Sequence, residues 1–252
     1  MEKLFSVNAE KHSIRCKLYC DTPKDVETVI VFGHGFGGHM GNKAAERFAG
    51  RVLEKNKHIA AVTFNWPCHG EDIKKKLTLD DCSAYLRLVL AHVRERWEVQ
   101  NLYGYATSFG GYLFLRYIAE EGNPFRKLAL RCPAVNMYGV VVSALLSEDG
   151  LEKLEKGKNV SVGFDRKIEI SPGFLEELRR SDIRDKDYLE YADDILILHG
   201  AKDEIIPIDE VRRFADDNLI EFVPVEAADH RFTDPKIMGD ANARIIAFLG
   251  LR

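Results

Sequence analysis

Residues 101–120 read NLYGYATSFGGYLFLRYIAE and place a serine at a sharp corner between a strand and a helix. The strand-like run ends at Ala106 and the helical pattern begins at Tyr112, so Ser108 falls in the bend between them. The general pattern is G-x-S-x-G, in which small residues two positions before and after the serine let strand and helix approach closely. A serine in this bend is expected at positive φ, which exposes its hydroxyl. Because a serine between small residues also commonly caps a helix, the interpretation depends on the rest of the chain.

The composition is that of a globular α/β protein. A chain of 252 residues can bury an ample core, and we expect one domain over residues 1–252, with two independent domains as the alternative. The formal charge of −4 leaves no basic excess for binding nucleic acid. The N-terminus turns polar before a signal-peptide core develops, and no run approaches the ~20 apolar residues of a membrane span. We therefore expect a cytoplasmic protein with no nucleic-acid or membrane partner, whose oligomeric state stays open.

The five cysteines do not suggest a disulfide framework or a metal site. They are an odd number scattered over a chain too long to need disulfides, which favours reduced thiols in a cytoplasm. Cys16 and Cys20 have a ligand-like spacing, but they lie in an alternating strand pattern and no second pair completes a zinc site. The sequence predicts neither a metal nor a cofactor.

Strand and helix patterns alternate along most of the chain, which predicts an α/β fold with a mostly parallel central sheet and helices on both faces. An antiparallel pair at 4–7 and 14–19 opens it. The later strand patterns are 28–32, 59–64, 101–106, 128–132, 195–198 and 220–225. The helical patterns of the main domain are 43–55, 78–97, 112–120, 209–216 and 234–248. Between about 134 and 191 the alternation gives way to charged helical fragments at 148–156 and 174–180, which predicts a small inserted cap.

Two polar residues follow later strands in the way that Ser108 follows its own. Asp203 comes after the strand at 195–198, and His230 comes after the strand at 220–225. The carboxyl ends of parallel strands meet at one edge of the sheet, where open α/β folds bind ligands. A serine hydroxyl is a poor nucleophile, and acyl transfer needs a base in contact with it and a third group that orients the base. The sequence therefore predicts that these three residues converge.

The chain resembles the α/β-hydrolases over nearly its whole length. The resemblance is carried by His34-Gly35-Phe36-Gly37-Gly38, the Ser108 corner, His199-Gly200-Ala201-Lys202-Asp203 and Ala228-Asp229-His230. Within that superfamily it is most similar to small cinnamoyl (feruloyl) esterase-like and monoacylglycerol-lipase-like carboxylesterases, a group that overlaps families labelled serine aminopeptidase-like. The likeness implies that Ser108 is the nucleophile, His230 the general base and then acid, and Asp203 the partner of His230. The sequence departs from the pattern at Ala106, where the family has glycine and this chain adds one methyl group.

Acyl transfer also requires a pocket for the negatively charged oxygen of the tetrahedral intermediate. The backbone N–H of Phe109, at the start of the helix after Ser108, is one predicted donor, and the helix dipole adds to it. The second donor is expected from the glycine-rich loop after the strand at 28–32, and the family likeness implies the N–H of Phe36. Because that loop lacks the lysine and Ser/Thr of a P-loop, an oxyanion loop is favoured over a phosphate loop.

Several neighbouring residues have two readings. Phe36, Phe109, Met137 and Tyr138 are predicted to line an acyl or aryl pocket, with plain core as the alternative. Phe164, in the cap, is predicted to cover that pocket, with a place in the cap's own small core as the alternative.

The other polar residues near these motifs are expected to have local roles. His34 braces the mouth of the glycine-rich loop, His69 supports the pocket wall, and His199 is packed or hydrogen-bonded locally. Asp229 is the alternative to Asp203 as the acidic partner of His230, but side chains of adjacent residues seldom face one another.

The sequence thus predicts a serine carboxylesterase that cleaves small-molecule esters with small or aromatic acyl groups through an acyl-enzyme. One alternative keeps the same three residues and changes the bond, as a peptidase, amidase or thioesterase. A peptidase would need acidic groups to hold the substrate amine, and Glu148, Asp149 and Glu152 in the cap are available, although a solvated helix face is the other reading. The alternative from a different class is a non-catalytic protein of the same fold that binds a small ligand.

Overall fold

A computed structural model describes residues 2–9, 11–163 and 167–252. The strands are β1 (Glu2–Ala9), β2 (His12–Cys20), β3 (Thr28–Gly33), β4 (Ile59–Phe64), β5 (Asn101–Thr107), β6 (Lys127–Arg131), β7 (Val160–Val162), β8 (Ile168–Ile170), β9 (Ile195–Gly200) and β10 (Glu221–Val225). The α-helices are α1 (Lys43–Lys55), α2 (Leu79–Arg96), α3 (Phe109–Glu121), α4 (Met137–Val140), α5 (Glu148–Glu155), α6 (Pro172–Arg180), α7 (Ile208–Asp217) and α8 (Pro235–Phe248). A π-helical turn covers Val141–Leu145, and a 3₁₀ helix covers Leu189–Asp194.

Eight of these strands form the central sheet, in the order β1-β2-β4-β3-β5-β6-β9-β10. The pairs β1·β2 and β2·β4 are antiparallel, and every later pair in that order is parallel. The prediction of a mostly parallel sheet opened by an antiparallel pair is therefore confirmed. Every residue of β3, β4 and β9 is buried, which explains why these strands read as continuous apolar runs rather than as alternating ones.

Helices cover both faces of the sheet, as predicted. Buried side chains of α1 and α8 pack on one face, and those of α2, α3 and α7 pack on the other. Helix α1 has the predicted bounds, and its start is fixed by Asn42, whose side chain accepts a hydrogen bond from the Ala45 N–H. Thr78 caps α2 in the same way. Within the described ranges, no helix is both long enough and apolar enough to span a membrane.

A long segment leaves the sheet after β6 and returns at β9, the neighbouring strand. It contains α4, the π-helical turn, α5, the two-stranded antiparallel sheet of β7 and β8, α6 and the 3₁₀ helix. The helices α5 and α6 match the predicted fragments closely. The β7–β8 pair and the turns at 137–145 have no counterpart in the prediction, because three-residue strands and one-turn helices are too short to show a hydrophobic period.

The corner at Ser108 depends on the close approach of α3 to the end of β3. A Cβ on Gly110 would lie 2.5 Å from the carbonyl oxygen of Gly33 and 2.7 Å from that of His34. Ala106 pairs with Gly33 across β5 and β3, and a Cβ at Gly33 would lie 3.3 Å from the Ala106 methyl. Glycine at 33 thus leaves room for the methyl group by which the chain departs from the family pattern.

We expect Gly110→Ala to destabilise the protein by about 2–3 kcal/mol or more, because rigid backbone carbonyls would have to move away from the added methyl. Gly50 is the matched control, since it lies in α1 and an added Cβ would meet nothing within 4 Å. Gly50→Ala should stabilise by about 0.5–1 kcal/mol through helix propensity alone. Urea unfolding of the two variants measures the difference, and equal stabilities would contradict the close-approach account.

Candidate active site

Ser108 occupies a strained position at the tip of the corner. Its φ is 53° and its ψ is −119°, as the sequence pattern predicts for this bend. The residue is the N-cap of α3, yet its side chain makes no capping hydrogen bond. The Ser108 N–H instead donates to the carbonyl of Arg131 on β6, at 3.1 Å, which ties the corner to the next strand. The reading of Ser108 as an ordinary helix cap is therefore not supported, and its hydroxyl is available for another partner.

The loops that carry Asp203 and His230 are fastened to one another. The Lys202 N–H donates to the carbonyl of Ala228 at 2.9 Å, so the turn after β9 lies against the turn after β10. A Cβ on Gly200 would lie 2.4 Å from the Ala228 carbonyl oxygen, which explains the need for glycine here. The parallel pairing of β9 and β10 thus brings both loops to the edge of the sheet where Ser108 lies.

The three side chains form one hydrogen-bonded chain. His230 Nε2 lies 3.1 Å from Ser108 Oγ, and His230 Nδ1 lies 2.8 Å from Asp203 Oδ2. The carboxylate can only accept, so Nδ1 carries the hydrogen and Nε2 is left to accept the serine proton. This arrangement of hydroxyl, imidazole and carboxylate is the one that activates a serine for attack on a carbonyl.

The side chain of Asp203 is fully buried, and four donors among the described residues approach its two oxygens. The N–H groups of Ile205 and Ile206 donate to Oδ1 at 2.9 and 2.8 Å, and Oδ2 receives His230 Nδ1 together with His199 Nε2 at 3.3 Å. Burial alone would raise the pKa of Asp203, but the hydrogen bonds from His199 and His230 outweigh it and hold that pKa well below its ordinary value. Asp203 is therefore a permanently charged anchor for His230.

One set of potential metal ligands occurs in the described residues, and it coincides with this site. Atoms of Cys132, Asp203 and His230 lie within 4.8 Å of one another. Burial first, and the charge of Asp203 second, raise the pKa of the Cys132 thiol well above its ordinary value. A protonated thiol is a poor metal ligand, and His230 Nδ1 is already committed to Asp203. The cluster is better described as packing around the carboxylate than as a metal centre.

The glycine-rich loop after β3 runs beside Ser108. A Cβ on Gly35 would lie 3.2 Å from Ser108 Cβ and 3.7 Å from its Oγ, which places the following residue, Phe36, next to the hydroxyl. In the part of the chain that the structure describes, the N–H groups of Phe36 and Phe109 donate to no protein group. Phe109 is the first residue of α3, whose opening amides have no partner inside the helix. Both amides are free to bind an oxygen held at Ser108.

An aromatic cluster supports this loop from behind. The ring of His69 lies 5.4 Å from that of Phe36 and stacks on that of Phe109 at 6.0 Å between centroids. Burial lowers the pKa of His69 to about 4, so its ring is neutral at ordinary pH. His34 anchors the loop mouth, with Nδ1 2.8 Å from the carbonyl of Gly35 and its own carbonyl accepting from Trp66 Nε1 at 2.9 Å. Both histidines have the supporting positions that the sequence suggests.

A pocket of about 550 Å³ opens over Ser108 and His230. One side is apolar and is formed by the α4 region and the loop after β9: Met137, Val140, Leu145 and Ile205. The other side is polar and is formed by the start of α1 and the ends of β5 and β6: Asn42, Lys43, Thr107 and Arg131. Arg231 and Phe36 also line the space. None of the lining residues in the described ranges is an aspartate or a glutamate.

The structure separates the residues predicted for the substrate pocket. Met137 lines the pocket, whereas its neighbour Tyr138 borders smaller crevices beside α6. The Phe109 ring is buried in the aromatic cluster and only its N–H faces Ser108. Phe164 lies outside the described residues.

Two further sets of acidic candidates are also placed. Asp229 accepts a hydrogen bond from the Thr233 N–H at 2.8 Å and has no bond to His230 among the described residues. The cap acids Asp149 and Glu152 pair with Lys153 and Lys156 on the exposed face of α5, and neither lines the pocket. Glu148 is exposed as well. These three residues fit the reading of a solvated helix face.

Sequence reasoning missed most of the polar side of the pocket. Arg131 is the last residue of a strand pattern and Lys43 the first of a helix pattern, and nothing in their local sequence shows that they share a cavity. The one available signal was position, since Arg131 ends the strand next to the one that carries Ser108.

Comparisons with known proteins show the family and the fold of this chain. Residues 24–154 match the model of a family described as serine aminopeptidase, S33. The matched region includes the glycine-rich loop and Ser108 and ends before Asp203 and His230. No curated protein sequence gives a significant match.

Solved structures with the same fold include several hydrolases. Est1E from Butyrivibrio proteoclasticus, solved with ferulic acid bound, is 17% identical, with 98% of this chain and 99% of that chain covered and a TM-score of 0.75. Alpha/beta hydrolase domain-containing protein 10 from mouse is 18% identical, with 98% of both chains covered and a TM-score of 0.71. A monoacylglycerol lipase from Paleococcus ferrophilus is 16% identical, with 94% of this chain and 98% of that chain covered and a TM-score of 0.64. At these identities the likeness establishes the fold.

Proposed function

Because the chain belongs to the serine aminopeptidase S33 family of α/β-hydrolases, we propose that it is a serine hydrolase that cleaves carboxylic esters through an acyl-enzyme on Ser108. The observation that carries the proposal is the chain of hydrogen bonds from Ser108 Oγ through His230 to Asp203, with distances of 3.1 and 2.8 Å. Such a chain supplies the base and the charge stabilisation that a serine nucleophile requires.

In the proposed reaction, Ser108 Oγ attacks the ester carbonyl carbon while His230 Nε2 takes the hydroxyl proton. Asp203 stabilises the imidazolium that forms. The carbonyl oxygen becomes negatively charged and is held by the N–H groups of Phe36 and Phe109. Collapse of this intermediate breaks the bond to the alcohol oxygen, which leaves with the proton from His230. Water then attacks the acyl-serine by the same sequence and releases the acid.

The pocket favours an ester over a peptide with a free N-terminus. An aminopeptidase must balance the ammonium group of its substrate, and the described lining contributes no carboxylate for that purpose. Its charged groups are basic instead. The apolar wall of Met137, Val140 and Leu145, with the Phe36 ring nearby, suits a small or aromatic acyl group. The five free cysteines fit the reducing cytoplasm that we propose as the location.

A substrate panel tests the proposal. We expect hydrolysis of p-nitrophenyl esters with short acyl chains and of methyl ferulate, with a decline as the chain lengthens, and no cleavage of an aminoacyl anilide. Cleavage of the anilide in preference to every ester would instead support the peptidase.

Labelling by a fluorophosphonate distinguishes an enzyme from a ligand-binding protein of the same fold. We expect the reagent to attach to Ser108, located by peptide mass spectrometry, because only an activated serine attacks it readily. Absence of both labelling and ester hydrolysis would leave the non-catalytic alternative.

A further inference from the structure

We infer that the substrate carries a carboxylate, which Arg131 and the N-terminus of α1 bind beside Ser108. This inference rests on the proposed function and specifies its substrate class. The carboxylate belongs either to the acyl part, so that hydrolysis yields a dicarboxylate and an alcohol, or to the alcohol part.

Arg131 is the centre of the site. It lines the pocket although only 7% of its surface is exposed. It lies beside Thr107 in the parallel register of β6 and β5, so both side chains point to the same face of the sheet, next to Ser108. The residue that follows Thr107 is the nucleophile proposed above, and Arg131 and Ser108 line the same pocket.

The guanidinium has no carboxylate partner among the described residues. Its Nη1 donates to the carbonyl of Arg231 at 3.2 Å and contacts Met238 Sδ at 3.3 Å, while Cζ lies 5.2 Å from the Phe232 ring centroid. Its Nε is buried and has no hydrogen-bond partner in the ranges that the structure describes. A buried charge is costly unless it is paired. By contrast Arg116, which is similarly buried in α3, pairs with Glu120 at 2.8 Å.

The N-terminus of α1 adds a second source of positive potential on the same side of the pocket. Asn42, Lys43 and Ala44 all line it, and α1 continues for 13 residues. Asn42 caps the N–H of Ala45, which leaves the N–H groups of Lys43 and Ala44 without a bond in the described part of the chain. Free amides at the start of a helix favour an anion. The only acid in the first turn, Glu46, does not line the pocket.

These groups converge on one ligand chemistry. The arginine fork matches the two oxygens of a carboxylate, and a bound carboxylate would supply the charge that Arg131 lacks. The neutral, apolar wall across the pocket would then hold the rest of the molecule. A neutral ester fills the apolar side and leaves the basic side unpaired.

Matched ester pairs test the inference. The first pair is monomethyl glutarate and methyl glutaramate, and the second is meta-carboxyphenyl acetate and meta-carbamoylphenyl acetate. Each pair compares a carboxylate with a neutral amide of the same size, on the acyl side in the first and on the alcohol side in the second. We expect the wild type to favour the carboxylate, as the ratio of kcat/KM values, by a factor on the order of 10 to 100 in one pair.

Arg131→Gln should bring that ratio close to one, and Arg131→Lys should keep part of the preference. If Arg131 had a purely structural role, its substitution would lower kcat/KM equally for both esters of a pair and leave their ratio unchanged. Arg116→Gln is the control, since it also removes a buried arginine but lies outside the pocket; it should keep the wild-type ratio. A wild-type ratio near one in both pairs, or a ratio that survives Arg131→Gln, overturns the inference.

Two further measurements keep the test decisive. If Arg131→Gln does not fold, the ratio of kcat/KM values is measured in Arg131→Lys and in Lys43→Gln instead. A wild-type ratio in both variants counts against the site. If no ester is hydrolysed, the proposed function fails by itself, and titration calorimetry with glutarate decides the inference. Binding that weakens in Arg131→Lys supports the carboxylate site, and absence of binding to the wild type overturns it.

Discussion

We expect Ser108→Ala to lower turnover of the best ester by a factor on the order of 10⁶ and to leave the fold intact. The alanine removes the only atom of the side chain that contacts His230, at 3.1 Å, and no other hydroxyl among the described residues shares that contact. The backbone of the corner is held by hydrogen bonds from Tyr112 and Ala134 to the Ser108 carbonyl, which the substitution does not touch. The substitution should therefore lower the turnover and leave the free energy of unfolding close to that of the wild type.

The measurement combines steady-state kinetics with urea unfolding and fluorophosphonate labelling of the same preparation. Ser143→Ala is the control, because this exposed serine bonds only to the carbonyl of Gly139 and should keep wild-type turnover. Retention of more than about one part in a hundred of the activity by a folded Ser108→Ala variant would mean that another group is the nucleophile.

Asp203→Asn is expected to lower kcat by a factor on the order of 10⁴. Donors approach both oxygens of Asp203, from Ile205 and Ile206 on one side and from His199 and His230 on the other. An asparagine must place its NH₂ group where one of the two carboxylate oxygens was. The NH₂ group can only donate, so it would face other donors at either position. His230 then loses the acceptor that fixes its tautomer, and the substitution also costs stability.

The pH dependence of that stability loss has a defined sign. The folded pKa of Asp203 is depressed, so its contribution is fully present above the ordinary aspartate pKa of about 4 and is lost as the pH falls through the lower folded value. The difference in the free energy of unfolding between wild type and Asp203→Asn should be constant above about pH 5 and shrink toward acid. Asp229→Asn is the control and should keep activity within about threefold of wild type. A larger loss there than in Asp203→Asn would make Asp229 the partner of His230.

The positions of the main strands, the mostly parallel sheet and the convergence at its edge could be predicted because local patterns carry them. The run 29–32 is apolar throughout, as is typical of a strand covered on both faces, and the small residues around Ser108 are required by the closeness of Gly110 to Gly33. Each residue of the proposed triad lies at the end of its own strand or in the turn that follows it, so the parallel pairing brings the three to one edge of the sheet. No long-range information was needed for this part.

The substrate side could not be predicted in the same way. Met137 and Tyr138 are neighbours in α4, and one helical step of about 100° turns their side chains to different surroundings. The contacts of Arg131 come from the Arg231 carbonyl and from Met238, both about a hundred positions away along the chain. His199 likewise reaches Asp203 only because the turn after β9 folds back on it. Such contacts depend on packing between remote segments, which periodicity does not report.

The excursion between β6 and β9 begins and ends at adjacent strands of the sheet. Its length and composition can therefore change over generations without disturbing the ladder that aligns Ser108 with the turns after β9 and β10. Met137 and Val140, near its start, line the apolar wall, whereas Arg131 is the last residue of β6 and belongs to the sheet itself. Changes in this segment can thus alter the wall that contacts the apolar part of a substrate. The basic side of the pocket, which Arg131 supplies from β6, stays in place.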